Sequence, residues 1–126
     1  MPQNISLAKA IQMTTLYRQE KENILAVPFK NQNILCKSET FDRGVFDVVL
    51  AQTGCAGLRV YYGMDEELKV HAIVVGVDSN NQDMLPPSVS GKTTTASLDD
   101  DGDDGIIETG NRCPDDCPPG SGGLNG

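Results

Sequence analysis

The sequence predicts an α+β fold, in which two helices pack on a small antiparallel sheet of about three strands and an irregular acidic tail follows. Residues 6–25 repeat apolar side chains at helical spacing, and residues 57–78 contain two runs that alternate like strands. Beyond Leu85 the aliphatic and aromatic side chains give way to Pro, Gly, Ser, Thr and Asp. The predicted domain therefore spans residues 1–85, and residues 86–126 form the tail.

The first helix is predicted from about Ser6 to Leu25, with Ser6 as its N-cap. Its interior contains neither Pro nor Gly. At 100° per residue one arc carries most of the apolar side chains, which predicts that this arc packs on the core. The arc consists of Leu7, Ala10, Ile11, Met13, Thr14, Tyr17, Ile24 and Leu25.

A short strand, ILCK at residues 34–37, is predicted next, and a second helix follows it. That helix is predicted to begin at a Thr40 cap and to stop at Gly54. Its apolar side chains predict a broad buried face. They are Phe41, Val45, Phe46, Val48, Val49 and Leu50.

The runs GLRVYYGM and LKVHAIVVGVD predict a β-hairpin joined by an odd-length loop around residues 65–67. The even positions of both strands form one apolar face if Tyr62 lies opposite Val70. The same register places Arg59, Tyr61, Lys69 and His71 together on the other face. This cationic set could receive an anionic ligand or partner, although a solvated sheet face is the more ordinary interpretation.

The tail contains two cysteines, Cys113 and Cys117, in the segment RCPDDC. Their spacing lies within the range of zinc knuckles but supplies half of a four-ligand site, so zinc bound at these cysteines is one open interpretation. Redox exchange is another, which the flanking carboxylates disfavour. A third interpretation ranks first: Pro114, Pro118 and Pro119 stiffen the segment, which suits an extended peptide that docks on a partner.

Charge narrows the classes of partner. The 126 residues carry 18 acidic and 10 basic side chains, and the resulting net charge of -8 opposes binding to nucleic acid or to an anionic membrane. The N-terminal residues lack the pattern of a secretory signal, which predicts a cytoplasmic protein. In that compartment most of the four cysteines are expected to be thiols.

The stretch SETFDRGVFDVVLAQTGCAGLRVYYGMDEELKVHAIVVGVD, together with ETGNRCPDDCP, resembles a family of small uncharacterised bacterial proteins. The resemblance covers about two thirds of the chain. It implies a bacterial, cytoplasmic setting and brings no activity, ligand or catalytic residue.

These observations predict a non-enzymatic module for protein–protein interaction or self-assembly, whose tail docks a partner and whose exposed sheet edges favour a homo-oligomer. The first alternative is a small-ligand or metal-binding protein that uses the tail thiols or the face of Arg59, Tyr61 and His71. The second alternative is an enzyme. No serine, cysteine or carboxylate is placed beside His71 by the pattern, so no nucleophile and base pair can be assigned.

Overall fold

The computed structural model describes residues 3–85, 106–107, 110–120 and 123–125. Within these ranges the α+β class is confirmed: two helices accompany a three-stranded and a two-stranded antiparallel sheet. The acidic stretch 86–105 of the predicted tail lies outside the described residues. The chain divides into two compact units. Unit 1 is Met1–Thr40, Met64–Val70 and Asn111–Gly126, and unit 2 is Phe41–Gly63 and His71–Gly110.

Helix α1 of unit 1 spans Leu7–Glu20 and begins as the sequence predicts, because the Ser6 hydroxyl accepts a hydrogen bond from the Lys9 backbone N–H at 3.0 Å. It ends earlier than the predicted Leu25. None of its residues is buried, so the predicted apolar arc is only partly covered. Residues near the C-terminus contribute the cover: Gly123 lies against Ile11, and the Leu124 carbonyl accepts a hydrogen bond from Arg18 Nη1 at 2.5 Å.

A 3₁₀ turn at Val27–Phe29 leads to strand β1, which spans Ser38–Thr40 and not the predicted residues 34–37. Ile34 is nevertheless buried, and its carbonyl accepts the Val70 N–H at 2.8 Å. The apolar character of Ile34 therefore reflects its burial in the fold, although the residue does not belong to a strand. Thr40, the predicted helix cap, instead pairs with Asn111.

In unit 2, helix α2 spans Arg43–Leu50 with Asp42 at the N-cap position, and is shorter at both ends than predicted. Gly54 adopts φ +90°, the left-handed conformation that glycine tolerates, but it lies beyond the end of the helix. Of the predicted broad face, Val49 is buried and the rings of Phe41 and Phe46 stack 5.6 Å apart beside it. Val45, Val48 and Leu50 are exposed, so the helix buries one narrow side.

The sheet of unit 2 has the order β2-β3-β4, where β2 is Cys55–Met64, β3 is Val70–Asp78 and β4 is Ile106–Ile107. The core consists of Val49, Val74 and Ile107, and Leu58 packs against it. Val74 pairs with Ile107 across β3 and β4. The core therefore fills the space between α2 and one face of the sheet.

Beyond β3 the chain turns back along the same strand. Asp83 pairs with Val77, and the Met84 N–H donates to the Gly76 carbonyl at 2.9 Å. Because β2 occupies one edge of β3, residues 83–84 lie along the other edge, which they share with β4. Directly paired residues point to the same face, so Asp83 lies on the face of Val75 and Val77, opposite the core.

Two parts of the predicted tail take part in the fold. Ile106–Ile107 form β4, and Asn111–Cys113 form β5, which pairs with β1 in the two-stranded sheet of unit 1. The apolar dipeptide Ile106–Ile107 interrupts an otherwise acidic stretch, and that signal could have placed it in the sheet. Both units contain residues from beyond Leu85.

Within the described part of the chain, neither helix is long and apolar enough to span a membrane.

Candidate functional site

The first candidate surface lies along strand β2. This strand forms an edge of its sheet, since β3 is its one neighbouring strand among the described residues. Leu58 reaches the core, whereas the next side chains on its face, Val60 and Tyr62, are 47% and 79% exposed. We call Val60, Tyr62 and the outer edge of the strand the β2 surface. No described strand pairs with this outer edge, so the β2 surface combines exposed apolar side chains with backbone groups that have no strand partner in the described part of the chain.

Four polar side chains are joined by hydrogen bonds on the side of the sheet opposite the core. Arg59 Nη1 donates to Asp83 Oδ1, and the Tyr61 hydroxyl donates to Asp83 Oδ2. Arg59 Nη2 donates to the side-chain oxygen of Asn81 and, at 3.4 Å, to its carbonyl. We call Arg59, Tyr61, Asn81 and Asp83 the polar cluster.

The polar cluster connects strand β2 with the segment at Asp83, which lie on opposite sides of β3. Arg59 and Tyr61 belong to β2, and Asp83 lies along the other edge of β3, so their hydrogen bonds cross over the strand. Val75, on the face of β3 beneath them, is 3% exposed. Val77, the direct partner of Asp83, lies on the same face and is half-buried, so the polar cluster lies on the side of the sheet to which Val75 and Val77 point.

Hydrogen bonding sets the protonation of the polar cluster. The hydroxyl of Tyr61, and then the guanidinium of Arg59, lower the pKa of Asp83. The hydrogen bond to Asp83 raises the pKa of Tyr61 and that of Arg59. Each shift favours the protonation state already present at neutral pH. The cluster therefore links β2 to the segment Asn81–Asp83, and its hydrogen bonds keep Asp83 ionised and Tyr61 protonated.

The predicted polar set is distributed over both units. Arg59 and Tyr61 meet through Asp83, which the sequence pattern did not single out. Lys69 belongs to unit 1, where it lines a cavity, and His71 is half-buried in β3. Asn80 and Asn81 are typical turn residues, and they were the available signal that the chain reverses and returns Asp83 to the sheet.

The second candidate site is the disulfide of unit 1, between Cys113 and Cys117. Cys36 and Cys55 are thiols, so two of the four cysteines are free, and not most of them as the sequence predicts. In this oxidised state the two tail sulfurs are bonded to each other and cannot act as thiolate ligands, so zinc binding remains a prediction for the reduced chain. Among the described residues no three Cys, His, Asp or Glu side chains are grouped so as to hold a metal ion.

A cavity of about 310 Å³ lies beside the disulfide loop. It is lined by Asn33, Lys69, Asn111, Arg112, Pro114, Asp115 and Asp116. The predicted docking residue Pro114 is half-buried in its wall, whereas Pro118 and Pro119 are exposed. The loop between the two cysteines therefore forms one side of a polar cavity.

Arg112 organises the wall of this cavity. Its Nη2 donates to the carbonyls of Asn33 at 2.7 Å and Ile34 at 3.0 Å, and its Nε donates to the Val70 carbonyl at 3.1 Å. The Arg112 carbonyl in turn accepts the Asp116 N–H at 2.8 Å. Segments distant in sequence are thus fixed around one guanidinium group.

Comparison with known proteins gives no match for this chain among protein-family models, curated proteins or solved structures.

Proposed function

We propose that this protein is a self-assembly module in which strand β2 pairs with β2 of a second copy. The observation that carries the proposal is the exposure of Val60, 47%, and Tyr62, 79%, on a ten-residue edge strand on which Leu58, earlier on the same face, packs on the core. The apolar face of the sheet therefore continues past the residues that α2 covers.

The composition of β2 favours pairing. Edge strands that stay unpaired commonly carry Lys, Pro or inward-pointing charges. The β2 sequence CAGLRVYYGM has one charged residue, Arg59, and Asp83 already neutralises it. No charge on the strand thus opposes the approach of another strand.

Two-fold symmetry makes β2 complementary to itself. In an antiparallel pair centred on Tyr61, Val60 of each copy lies opposite Tyr62 of the other, on the same face. An aromatic side chain opposite a β-branched one is a favourable cross-strand pair. The pairing joins two three-stranded sheets and covers the apolar residues that each copy leaves exposed.

Net charge opposes association at long range, because each copy carries -8. Added salt screens this repulsion, so dimerisation is expected to strengthen as ionic strength rises from about 0.01 to 0.15 M. This dimer does not require the tail to dock on the second copy. The described residues beyond Gly110 contact their own chain at β1 and α1.

Sedimentation equilibrium of the full chain over a range of concentrations tests the proposal. Val60→Lys places a charge in the centre of the symmetric pair and is expected to raise the dimer Kd about tenfold or more, or roughly 1.4 kcal/mol. Gln12→Lys, on the exposed side of α1, is the matched control for adding one positive charge. A wild-type monomer at all concentrations, or a dimer equally strong in Val60→Lys, would show that β2 is not the interface.

A further inference from the structure

The geometry points to the Cys113–Cys117 disulfide as a thiol–disulfide exchange site that small zwitterionic thiols enter at Cys117. The inference is independent of pairing through β2. It rests on the unequal surroundings of the two sulfur atoms and on the charges of the adjoining cavity.

The two cysteines differ in access. Cys113 is 0% exposed, and as part of β5 it pairs with Ser38 while its carbonyl accepts the Lys37 N–H at 2.7 Å. Cys117 is exposed, at the end of the loop. Exchange requires a thiolate to approach one sulfur directly. Cys113 is buried and Cys117 is the exposed half of the bond, so a thiolate from solution is expected to attack Cys117 Sγ.

The cavity selects the kind of thiol. Lys69 can donate to a carboxylate, and Asp115 and Asp116 can accept from an ammonium group. A volume of about 310 Å³ is at the lower end of small-ligand sites. A small thiol that carries both charges, such as a free amino acid or a short peptide, matches this pattern. A purely anionic thiol can pair with the cations of the cavity, Lys69 and Arg112, but it leaves the two carboxylates unpaired and is repelled by the net charge of -8 on the chain.

The chemistry balances with two external thiols. The first thiolate attacks Cys117 Sγ, the Cys113–Cys117 bond breaks, and its electron pair leaves on Cys113 as a thiolate. A mixed disulfide now joins the external sulfur to Cys117. A second thiolate attacks that external sulfur, so that an external disulfide departs and Cys117 becomes a thiolate. Two protons then reach the protein thiolates, leaving the dithiol form and one oxidised pair of external thiols.

The fold assigns distinct roles to the two cysteines. Cys113 stays anchored by its pairing to β1, which keeps its thiolate near Cys117 and lets it reverse the first step. Cys117 carries the external group. In Cys113→Ser this disulfide is absent, so a mixed disulfide forms when the Cys117 thiolate attacks an added external disulfide such as cystine and releases one external thiolate. Without Cys113 to attack Cys117 Sγ and expel the external thiolate, that mixed disulfide should persist once free thiol is removed.

The test uses the oxidised full-length chain. It is mixed with cysteine, 2-mercaptoethanol or thioglycolate at equal thiolate concentration, quenched with acid and mapped by mass spectrometry. We expect the first adduct on Cys117, and cysteine to react about tenfold faster than thioglycolate relative to the same two rates in denaturant. Lys69→Gln should slow the reaction with cysteine and leave that with neutral 2-mercaptoethanol unchanged. Lys9→Gln on α1 is the matched control.

Three results would overturn the inference: adducts on Cys113, equal rates for the three thiols after correction by the denatured chain, or a purified protein with no disulfide. Cys113→Ser treated with cystine offers a second measurement, in which a lasting half-cystine adduct on Cys117 is expected. The wild-type mapping does not depend on that variant, so the outcome stays decisive even if loss of the buried Cys113 side chain prevents folding.

Discussion

A turn lies at each end of strand β3, and the two turns share one hydrogen-bond pattern. In Asp65–Lys69 the first carboxylate accepts the N–H groups of the third and fifth residues, at 2.8 and 3.0 Å. In Asp78–Gln82 the corresponding distances are 2.9 and 3.0 Å. Both turns also exchange backbone hydrogen bonds between the same positions. An aspartate at the first position thus specifies the turn twice in one chain.

The fourth residue distinguishes them. It adopts φ +67° in both turns, as Leu68 in the first and Asn81 in the second. Asparagine tolerates this left-handed conformation, whereas leucine is strained in it. Asn81 also contacts Arg59, so the second turn supports the polar cluster. The difference teaches that the Asp-based hydrogen bonds suffice to form the turn, and that the fourth residue adjusts its stability and its use.

The largest expected effect comes from giving the second turn the leucine of the first. Asn81→Leu should lower the free energy of unfolding by about 1 to 2 kcal/mol through the left-handed conformation, with loss of the side-chain contact to Arg59 adding to the cost. Urea denaturation measures the change. Asn81→Gly is the control, because it relieves the backbone and removes only the side-chain contact. Equal losses in both variants would mean that backbone strain plays no part.

The reciprocal change should have a smaller and opposite effect. Leu68→Asn gives the first turn the residue of the second, and should raise the free energy of unfolding by about 0.5 to 1 kcal/mol. Leu68 is 44% exposed, so part of the gain is offset by its lost burial. Denaturation midpoints of the variant and the wild type test this directly. A destabilised Leu68→Asn would show that packing of Leu68 outweighs its conformation.

The smallest expected effect is the pH dependence of stability that Asp83 contributes next to the second turn. Asp83, next to the second turn, has a folded-state pKa below its unfolded value of about 3.9, so its stabilising contribution is present above that value and is lost as pH falls through the folded pKa. Urea midpoints of the wild type should therefore fall more steeply below about pH 4 than those of Asp83→Asn. Asp47→Asn, which removes the solvent-exposed partner of Arg43, is the control. Parallel curves for wild type and Asp83→Asn would contradict the assignment.

Local signals carried most of the sequence-based prediction. Ser6 caps α1 because its hydroxyl needs only the Lys9 N–H one turn away, and the two alternating runs became β2 and β3. The class of fold followed from these elements. Arg59 and Tyr61 were correctly placed on one face of β2, where they share the Asp83 carboxylate.

Features that depend on distant partners were not predictable in the same way. Residues 34–37 are apolar enough for a strand, but strand β1 forms at Ser38–Thr40 because that is where β5 pairs. Asp83 joins the polar cluster only because the turn at Asn81 returns it to β3. The disulfide likewise depends on a loop geometry that cysteine spacing alone leaves open.

The pairing of β1 with β5 has a consequence for the order of events during synthesis. Arg112 donates to the carbonyl of Asn33, 79 positions earlier, and Cys113 pairs with Ser38. A nascent chain that has emerged only as far as β3 holds β1 without a partner. Unit 1 can therefore close only after translation has passed Cys113, and until then its early segments are exposed to chaperones and proteases.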